Sequence, residues 1–566
     1  MTAPAALTRP SAAPVVTRVV IYTILFVLVV LTASGLADLL GRVFDMLTGE
    51  LIYGTDTVGL AVSLTFTLVA GPLAAILGWL AWRRLAGLPE RESLAWALYL
   101  VGICTVALIV LTTALLSAVA GAVTGDDGTT EAATGLVWAG VWAGHRFVLR
   151  RTDRRPTRLP GTAALLGGTF GLLVGAGGAI STLTSLLDEA LATGLGADAA
   201  ASAGTPWFAG PVQALVWAAG GALVWAWHWF HDGGRAARTA LAAVVLTGVG
   251  VLGGCLAALA GTGAVVFVLL RLSFDRSDPV PVLLDPLGLA VSAALVGGLI
   301  WVYHRGVVRG RSVAVQQAST LVTSGVSLVA AASGIGVVVN ALLATLSAPL
   351  AGSDPRTLLL GGISSLLVGG PLWWVTWQPR IAPAPDRSRS AGRGVYLVVV
   401  FGISAVVALV TLLVIGFRLF DTVLAGNPGL LDRIRAPLGL LLATGLVAGY
   451  HFTLWRRDRA VAAATGPAAG VGPAGSAAVS PAGSAAPAIG ELVLVMGPGA
   501  EPVVNHLREL TGAPVSYWQR AGAATALPDP TRVMQALAGV SAERVLLIVG
   551  VDGAVTVIPL APVQVG

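Results

Sequence analysis

Histidine, tryptophan and arginine are the residues with the most chemistry to offer in this chain, and they recur together. The stretches VWAGHRFVLRR, AWHWFHDGGR, WVYHRGVVRG and AGYHFTLWRR each close an apolar run with a histidine and then arginine. Their histidines, His145, His228, His304 and His451, are four of the six in the chain. A tryptophan stands three residues before the first three of them, at Trp142, Trp225 and Trp301, and Arg150 and Arg151 close the first stretch. Three chemistries fit these types. Indole and guanidinium groups at the end of an apolar run anchor a helix at the lipid headgroups, where imidazole can hydrogen-bond. Several histidines and arginines can converge on one anionic ligand, such as a lipid phosphate. His228 and His231, three apart and followed by Asp232, can present metal ligands on one helical face. The anchor is the expected setting, with neither a catalytic nor a metal role assigned.

The elements that must position these groups are membrane helices. The chain has 566 residues, 56% hydrophobic and 11% charged, with a mean hydropathy of +0.85. Soluble domains carry about 25% charged residues, so this composition belongs to a bilayer. Apolar runs of spanning length come in pairs, near 18–84, 92–151, 160–231, 235–309, 311–380 and 393–457. The histidines recur at intervals of roughly 75 residues, with one interval skipped before His451, which marks an internal repeat. Within it, a small residue, a Trp and a His follow at steps of three: Ala139–Trp142–His145, Ala222–Trp225–His228 and Gly298–Trp301–His304. The fifth unit reads Gly370–Trp373–Thr376 and the sixth Gly445–Ala448–His451; the first keeps only Gly71. Steps of three share one side of a helix.

Charge placement gives an orientation. All 34 basic residues are arginine. They crowd the segments between units, as in RRTDRRPTR, whereas the turns within units are acidic, as in TGDDGTTE. The positive-inside rule then puts both termini in the cytoplasm. The basic pI of 9.9 is a topology signal and not a nucleic-acid footprint. Val19–Leu31 fits the first helix of the first repeat and is expected to be retained, although ASGLA after it resembles a signal-peptide cleavage site.

Other candidates read as packing. Gly167, Gly171 and Gly175 repeat every four residues and allow close helix approach. Outer extensions such as ADLLGRVFDML read as amphipathic turns at the interface. Ionisable groups fall toward helix ends, and mid-span polarity is limited to hydroxyls and amides such as Thr112, Thr113, Gln213, Thr320, Thr323, Ser324 and Ser327. These offer no proton relay. Cys104 and Cys255 sit inside apolar runs as small buried side chains.

From 461 to 488 the composition turns to Ala, Gly, Pro and Ser, a flexible linker. Residues 489–566 read as a soluble α/β domain in the order β-α-β-α-β-β, with Asp529 capping a helix and Asp552-Gly553 turning a hairpin. MGPGAE links its first strand and helix through two glycines, without a nucleotide fingerprint. His506 reads as a surface residue.

The repeated pair, with its acidic outer turn and WxxH end followed by arginine, resembles a family of bacterial integral-membrane domains of unknown function built from repeated two-helix units. The resemblance covers roughly 18–460 and implies an architecture without an activity. The chain is therefore expected to be an all-α polytopic membrane protein of about 12 helices in six two-helix repeats, with a cytoplasmic segment at 1–17, a membrane domain at 18–460 and the C-terminal α/β domain. The expected function is a non-enzymatic scaffold or sensor of the bacterial inner membrane. It would contact membrane lipids and recruit a cytoplasmic protein through its tail, with no cofactor and no nucleic acid. The other reading is a transporter or lipid-handling channel along the repeat axis.

Overall fold

The computed structural model describes residues 13–48, 56–195, 206–275, 277–346, 354–377, 391–426, 429–465, 489–497, 501–519, 530–537, 540, 542–550 and 554–560. Most of the expected linker, the MGPGAE glycine turn, the Asp529 cap and the Asp552-Gly553 turn lie outside them. The chain divides into two compact bodies, Met1–Pro467 and Ala468–Gly566.

The described residues of the first body are almost all helical. Its helices are α1 (Ala13–Thr48), α2 (Thr57–Arg84), α3 (Leu94–Thr124), α4 (Thr129–Arg150), α5 (Thr162–Gly194), α6 (Ala209–His231), α7 (Ala240–Phe274), α8 (Val280–Val308), α9 (Val313–Ala344), α10 (Pro355–Trp377), α11 (Ala391–Ala425) and α12 (Leu430–Thr465). Among the described residues, 11 helices are long and apolar enough to span a membrane. The one left over is α4, whose 22 residues include Glu131, His145, Arg146 and Arg150. It packs against α1 and α3 in the position its counterparts hold. The chain is a multi-pass membrane protein with internal repeats.

Local chemistry sets the helix ends. Asp56, Ser93 and Thr239 accept the backbone N–H groups of Gly59, Trp96 and Ala242, which caps α2, α3 and α7. Gly125 ends α3 in the left-handed conformation, φ 82°, which L side chains rarely adopt. The odd-numbered helices overrun a bilayer. The 33 residues of α5 extend about 50 Å at 1.5 Å per residue, against a hydrocarbon core of about 30 Å. Their outer extensions, expected as amphipathic helical turns at or beyond the interface, are continuations of the same helices, as ADLLGRVFDML is in α1.

Packing follows one rule along the chain. Each odd helix packs on its own even partner and on the even helix of the next unit: α1 on α4, α3 on α6, α5 on α8, α7 on α10 and α9 on α12. The units therefore stack in series. Among the described residues the first and last units form no packed interface. The α5–α6 contact shows how close the backbones come. A Cβ added at Gly171, Gly178 or Gly221 would lie 2.3 Å from Trp225 N, 2.3 Å from Ala218 N or 2.2 Å from Gly175 N. Small residues let dispersion replace a hydrophobic driving force that lipid does not supply. Cys104 and Cys255 are buried free thiols.

At the far end of α7, Asp275 ties two units together. Its carboxylate accepts from the Thr357 hydroxyl at 2.8 Å and from Ser277 at 2.9 Å, with Arg271 at 3.4 Å. The Thr357 hydrogen bond leads these in holding the Asp275 carboxyl below the usual carboxylate range.

The second body carries β1 (Ile489–Met496), α13 (Glu501–Thr511), β2 (Val515–Gln519), α14 (Pro530–Leu537), β3 (Ala542–Val549) and β4 (Val555–Leu560). The sheet order is β2-β1-β3-β4, with β1 parallel to β2 and β3, and β4 antiparallel to β3. Alternation decides its faces. Leu492, Leu494, Met496, Val545, Leu547 and Val549 are fully buried against Leu507, Val533 and Leu537 of the helices. The opposite face holds Val493, Val495, Leu546 and Ile548, all half-buried, with Trp518 and Ile558 exposed at 67% and 41%.

Two outcomes follow. Gly178→Val forces α5 off α6 and should cost about 1–3 kcal/mol, read as a lower melting temperature in detergent. Gly177→Ala, with nothing within 4 Å of its added Cβ, should leave the melt unchanged. A depressed carboxyl stabilises the fold above the unfolded value of about 3.9 and loses that contribution as pH falls through the folded value. As pH falls below about 4, melts should lose stability that Asp275→Asn no longer loses.

Candidate functional site

The site is a row of equivalent positions at the ends of the even helices. In each, the histidine Nδ1 lies 2.8–2.9 Å from the carbonyl four residues earlier: His145 on Val141, His228 on Val224, His304 on Ile300 and His451 on Val447. A carbonyl only accepts, so Nδ1 carries a proton and donates to it. The Tyr99 hydroxyl hydrogen-bonds with Nε2 of His145 at 2.9 Å. Nε2 of His228 lies 3.8 Å from Asp232, and that of His451 is buried without a hydrogen-bond partner.

These rings point between helices. His228 and His304 are 3% exposed, His451 is fully buried, and His145 is half-buried. The headgroup-facing position expected for them is replaced by an inward one, for a steric reason on a different helix. A Cβ on Gly167 would lie 2.6 Å from the His228 ring, and one on Gly250 would lie 2.4 Å from the His304 ring. Glycine on the odd helix makes the seat. A tryptophan of a preceding even helix completes it: Trp142 lies 6.4 Å from His228, Trp229 lies 5.7 Å from His304, and Trp377 lies 5.8 Å from His451, between ring centroids.

The position after the histidine hooks one unit to the next. Trp229 Nε1 donates to the Tyr303 hydroxyl at 2.8 Å, and Trp377 Nε1 donates to the Tyr450 hydroxyl at 2.9 Å. Between α4 and α6 the hook is ionic, because Arg146 pairs with Asp232. Those two side chains are 14% and 6% exposed, and Asp232 keeps one carboxylate oxygen without a hydrogen bond. Nothing in the stripe of threes marks these hooks. Aligning the units on their histidines would have found them, because the next column reads Arg146, Trp229, Arg305, Trp377 and Phe452.

The remaining predicted residues are distributed along the row. Trp142 lies under the Arg146 guanidinium at 5.4 Å, and Trp301 lies under Arg305 at 5.1 Å. Trp225 stacks on Trp229 at 6.4 Å. Arg150 is exposed at the end of α4, and Arg151 reaches Asp153 at 3.2 Å and the Trp82 ring at 5.8 Å. Gly171 and Gly175 face the backbone of α6, and Gly167 seats His228. His231 packs on Trp227 at 4.4 Å instead of turning toward His228 and Asp232. No three metal-ligating side chains gather among the described residues.

Mid-span hydroxyls are satisfied locally. Thr320, Thr323 and Ser327 donate to Gln316, Ser319 and Thr323 carbonyls at 3.0, 3.0 and 2.8 Å, and Thr113 donates to Ile109 at 2.9 Å. Ser324 meets the Tyr396 hydroxyl at 3.4 Å, and the Thr112 hydroxyl is buried without a partner. Gln213 crosses to the Ala120 carbonyl at 3.2 Å and ties α6 to α3. Two large apolar clefts, of about 830 and 840 Å³, lie elsewhere, along α9. In the second body, His506 is half-buried with Nε2 covered, against the surface position expected for it.

Two segments of the chain, residues 18–144 and 314–446, match the family model described as "Domain of unknown function (DUF5671)". Each match spans four helices, α1–α4 and α9–α12, so it embraces two of the two-helix units and leaves α5–α8 between the copies. No curated protein and no solved structure matches the chain.

The ionic hook yields a double-mutant test. Arg146→Gln alone leaves Asp232 buried and uncompensated, which should cost about 3–5 kcal/mol. Arg146→Met combined with Asp232→Leu should recover most of that. Equal destabilisation by the single and double variants in detergent melts would contradict the assignment.

Proposed function

We propose that the chain is a non-enzymatic scaffold or sensor of the bacterial inner membrane, with both termini cytoplasmic and a tail domain that recruits a cytoplasmic protein. The observation that carries this reading is the sheet of the second body. Among the described residues both helices cover one face, and none covers the other, where Val493, Val495 and Leu546 are half-buried and Trp518 and Ile558 are exposed. An exposed apolar patch with a large aromatic is the usual mark of a protein contact.

The membrane body supports the same reading. Its units lock in series through Trp–Tyr and Arg–Asp hooks, and most of its mid-span hydroxyls bond to their own helices. A coupled transporter needs ionisable groups or convergent polar groups at depth, and the two clefts are lined mainly by apolar side chains, with Ser333, Tyr396, Ser404, Asn340 and Thr444 the polar ones in the first and Ser364 and Ser365 in the second. Orientation rests on the arginine-rich segments between units. Many of those arginines are already committed. Arg91 donates to the Thr152 carbonyl at 2.8 Å, Arg238 to the Gly310 carbonyl at 3.0 Å, and Arg393 pairs with Asp458 at 2.6 Å. They are poor candidates for nucleic acid. The clefts favour the second reading, lipid handling, because they open a lateral apolar path.

The test compares the full chain with a truncation at Ala462 and with the Trp518→Ser, Ile558→Ser variant. The truncated membrane body should fold and insert. A soluble partner labelled by proximity to the full chain should be lost in both other forms, with the tail's melting temperature unchanged in the serine variant. Failure of the truncated body to insert, or partner labelling indifferent to the serines, overturns the reading. In vesicles, the full chain should leave lipid translocation and ion leak at the rate of empty vesicles. Acceleration of either would make lipid handling or transport the function.

A further inference from the structure

We propose that the cleft walled by α9, α11 and α12 binds an anionic phospholipid, one acyl chain along the cleft and the phosphate at Arg435. The site goes beyond the scaffold reading and stands whether or not the tail recruits a partner.

Dimensions come first. The cleft encloses about 830 Å³ and follows α9 from Ala318 to Asn340. At 1.5 Å per residue that is about 33 Å, the thickness of a bilayer's hydrocarbon core, so one acyl chain, which crosses a single leaflet, takes the half of the cleft nearer its headgroup. The walls are almost wholly apolar, with Val329, Val337, Val399 and Val407 facing across it and Leu440 and Val447 of α12 lining it. The Thr444 hydroxyl is spent on its own helix, at the Leu440 carbonyl, 2.7 Å away. Water gains nothing in such a groove, whereas an acyl chain gains contact along its whole length.

Charge then fixes the end at which the headgroup sits. Toward the C-terminal end of α9 and the N-terminal end of α12 the wall finishes at Asn340 and Ala436. Arg435 stands there, donating to Asn340 Oδ1 at 3.1 Å, with a buried Nε that makes no hydrogen bond. Asp432 lies 3.5 Å from that nitrogen. Arg418 and Arg433 stand on the same rim, where Arg418 donates to the Arg433 carbonyl and Arg433 pairs with Asp421 at 3.2 Å. Among the described residues these three arginines stand beside two acids, Asp421 and Asp432, so the rim as a whole keeps a net positive charge for a phosphodiester, with Arg418 the arginine that pairs with neither acid. Guanidinium is the side chain best matched to that group. A zwitterionic headgroup brings its own cation to the rim and gains less there.

The test uses the full chain in vesicles of phosphatidylglycerol or phosphatidylcholine. Each contains a trace of the same lipid with a photoactivatable acyl chain, and adducts are mapped by mass spectrometry. Labelling should concentrate on Val329, Ser333 and Val407, about tenfold stronger in phosphatidylglycerol than in phosphatidylcholine. Arg435→Gln should bring the two lipids level. Ser333→Phe should fill the cleft and suppress labelling at Val329 and Val407 with the melting temperature kept. If that variant fails to fold, Ser404→Phe reads the same loss from the other wall. Adducts spread evenly over lipid-facing side chains, equal labelling in both lipids, or cleft residues cross-linked to another segment or a second copy of the chain would each overturn the assignment.

Discussion

A hydrocarbon solvent offers no hydrogen bonds, so polar groups of a membrane helix must find partners inside the protein. The even-helix ends of this chain are organised around that constraint. Each histidine spends its Nδ1 proton on its own helix, four residues back. With one nitrogen satisfied, the ring behaves as a flat, mostly apolar body with a single nitrogen left to place. It can then be sunk into a glycine notch and covered by a tryptophan of a preceding unit. The tryptophans at the hook positions meet the same demand by donating to tyrosine hydroxyls one unit on. Satisfying the histidines and hooking the units together are therefore one structural event.

How much of this was legible follows from the range of each interaction. The repeat, the paired helices and the β-α-β-α-β-β tail were readable because periodicity and hydropathy are local properties of the chain. The stripe through Trp225 and His228 was readable as one helical side for the same reason. The direction in which His228 points was not. It is set by Gly167, 61 positions earlier, and a glycine in an apolar run looks like any other small packing residue. The hooks escaped because a hydrogen bond between Trp229 and Tyr303 joins residues on two units whose alignment is fixed only once the helices stack. The ion pair of Arg146 with Asp232 escaped in the same way, and its arginine read as part of a topology signal. The α4 helix shows the converse. Its polar composition keeps it out of the set recognisable as spans, yet its neighbours on both sides give it the place of one.

The matched family segments add a constraint on how the array is built. Each covers two units, and the hooks differ with position: ionic between α4 and α6, indole to phenol between α6 and α8 and between α10 and α12. A stack of units that contact mainly their neighbours gains its stability interface by interface. Distinct hooks at distinct junctions make mispairing costly, because an aspartate placed against a tryptophan would remain buried without its cation.

The same junctions explain where the membrane body is open. Successive odd helices pack weakly on one another, so a gap between them closes only if side chains fill it. Between α5 and α7 the bulk of Trp225, Trp229 and Leu246, with the His304 ring beneath, leaves only about 10 Å³. Between α7 and α9 and between α9 and α11 the facing positions are largely valine, alanine, serine and glycine, and clefts of about 840 and 830 Å³ remain. Tryptophan at the histidine end thus does two things in the unit before α7: it covers the next unit's histidine ring and plugs the gap. The sixth unit has alanine, Ala448, at the position held by Trp225 in the third. Gaps of this size cannot stay empty in a bilayer, since their walls would lose dispersion contacts with nothing in exchange. The small side chains on either side of α9 therefore hand part of the packing to whatever apolar chain the membrane supplies.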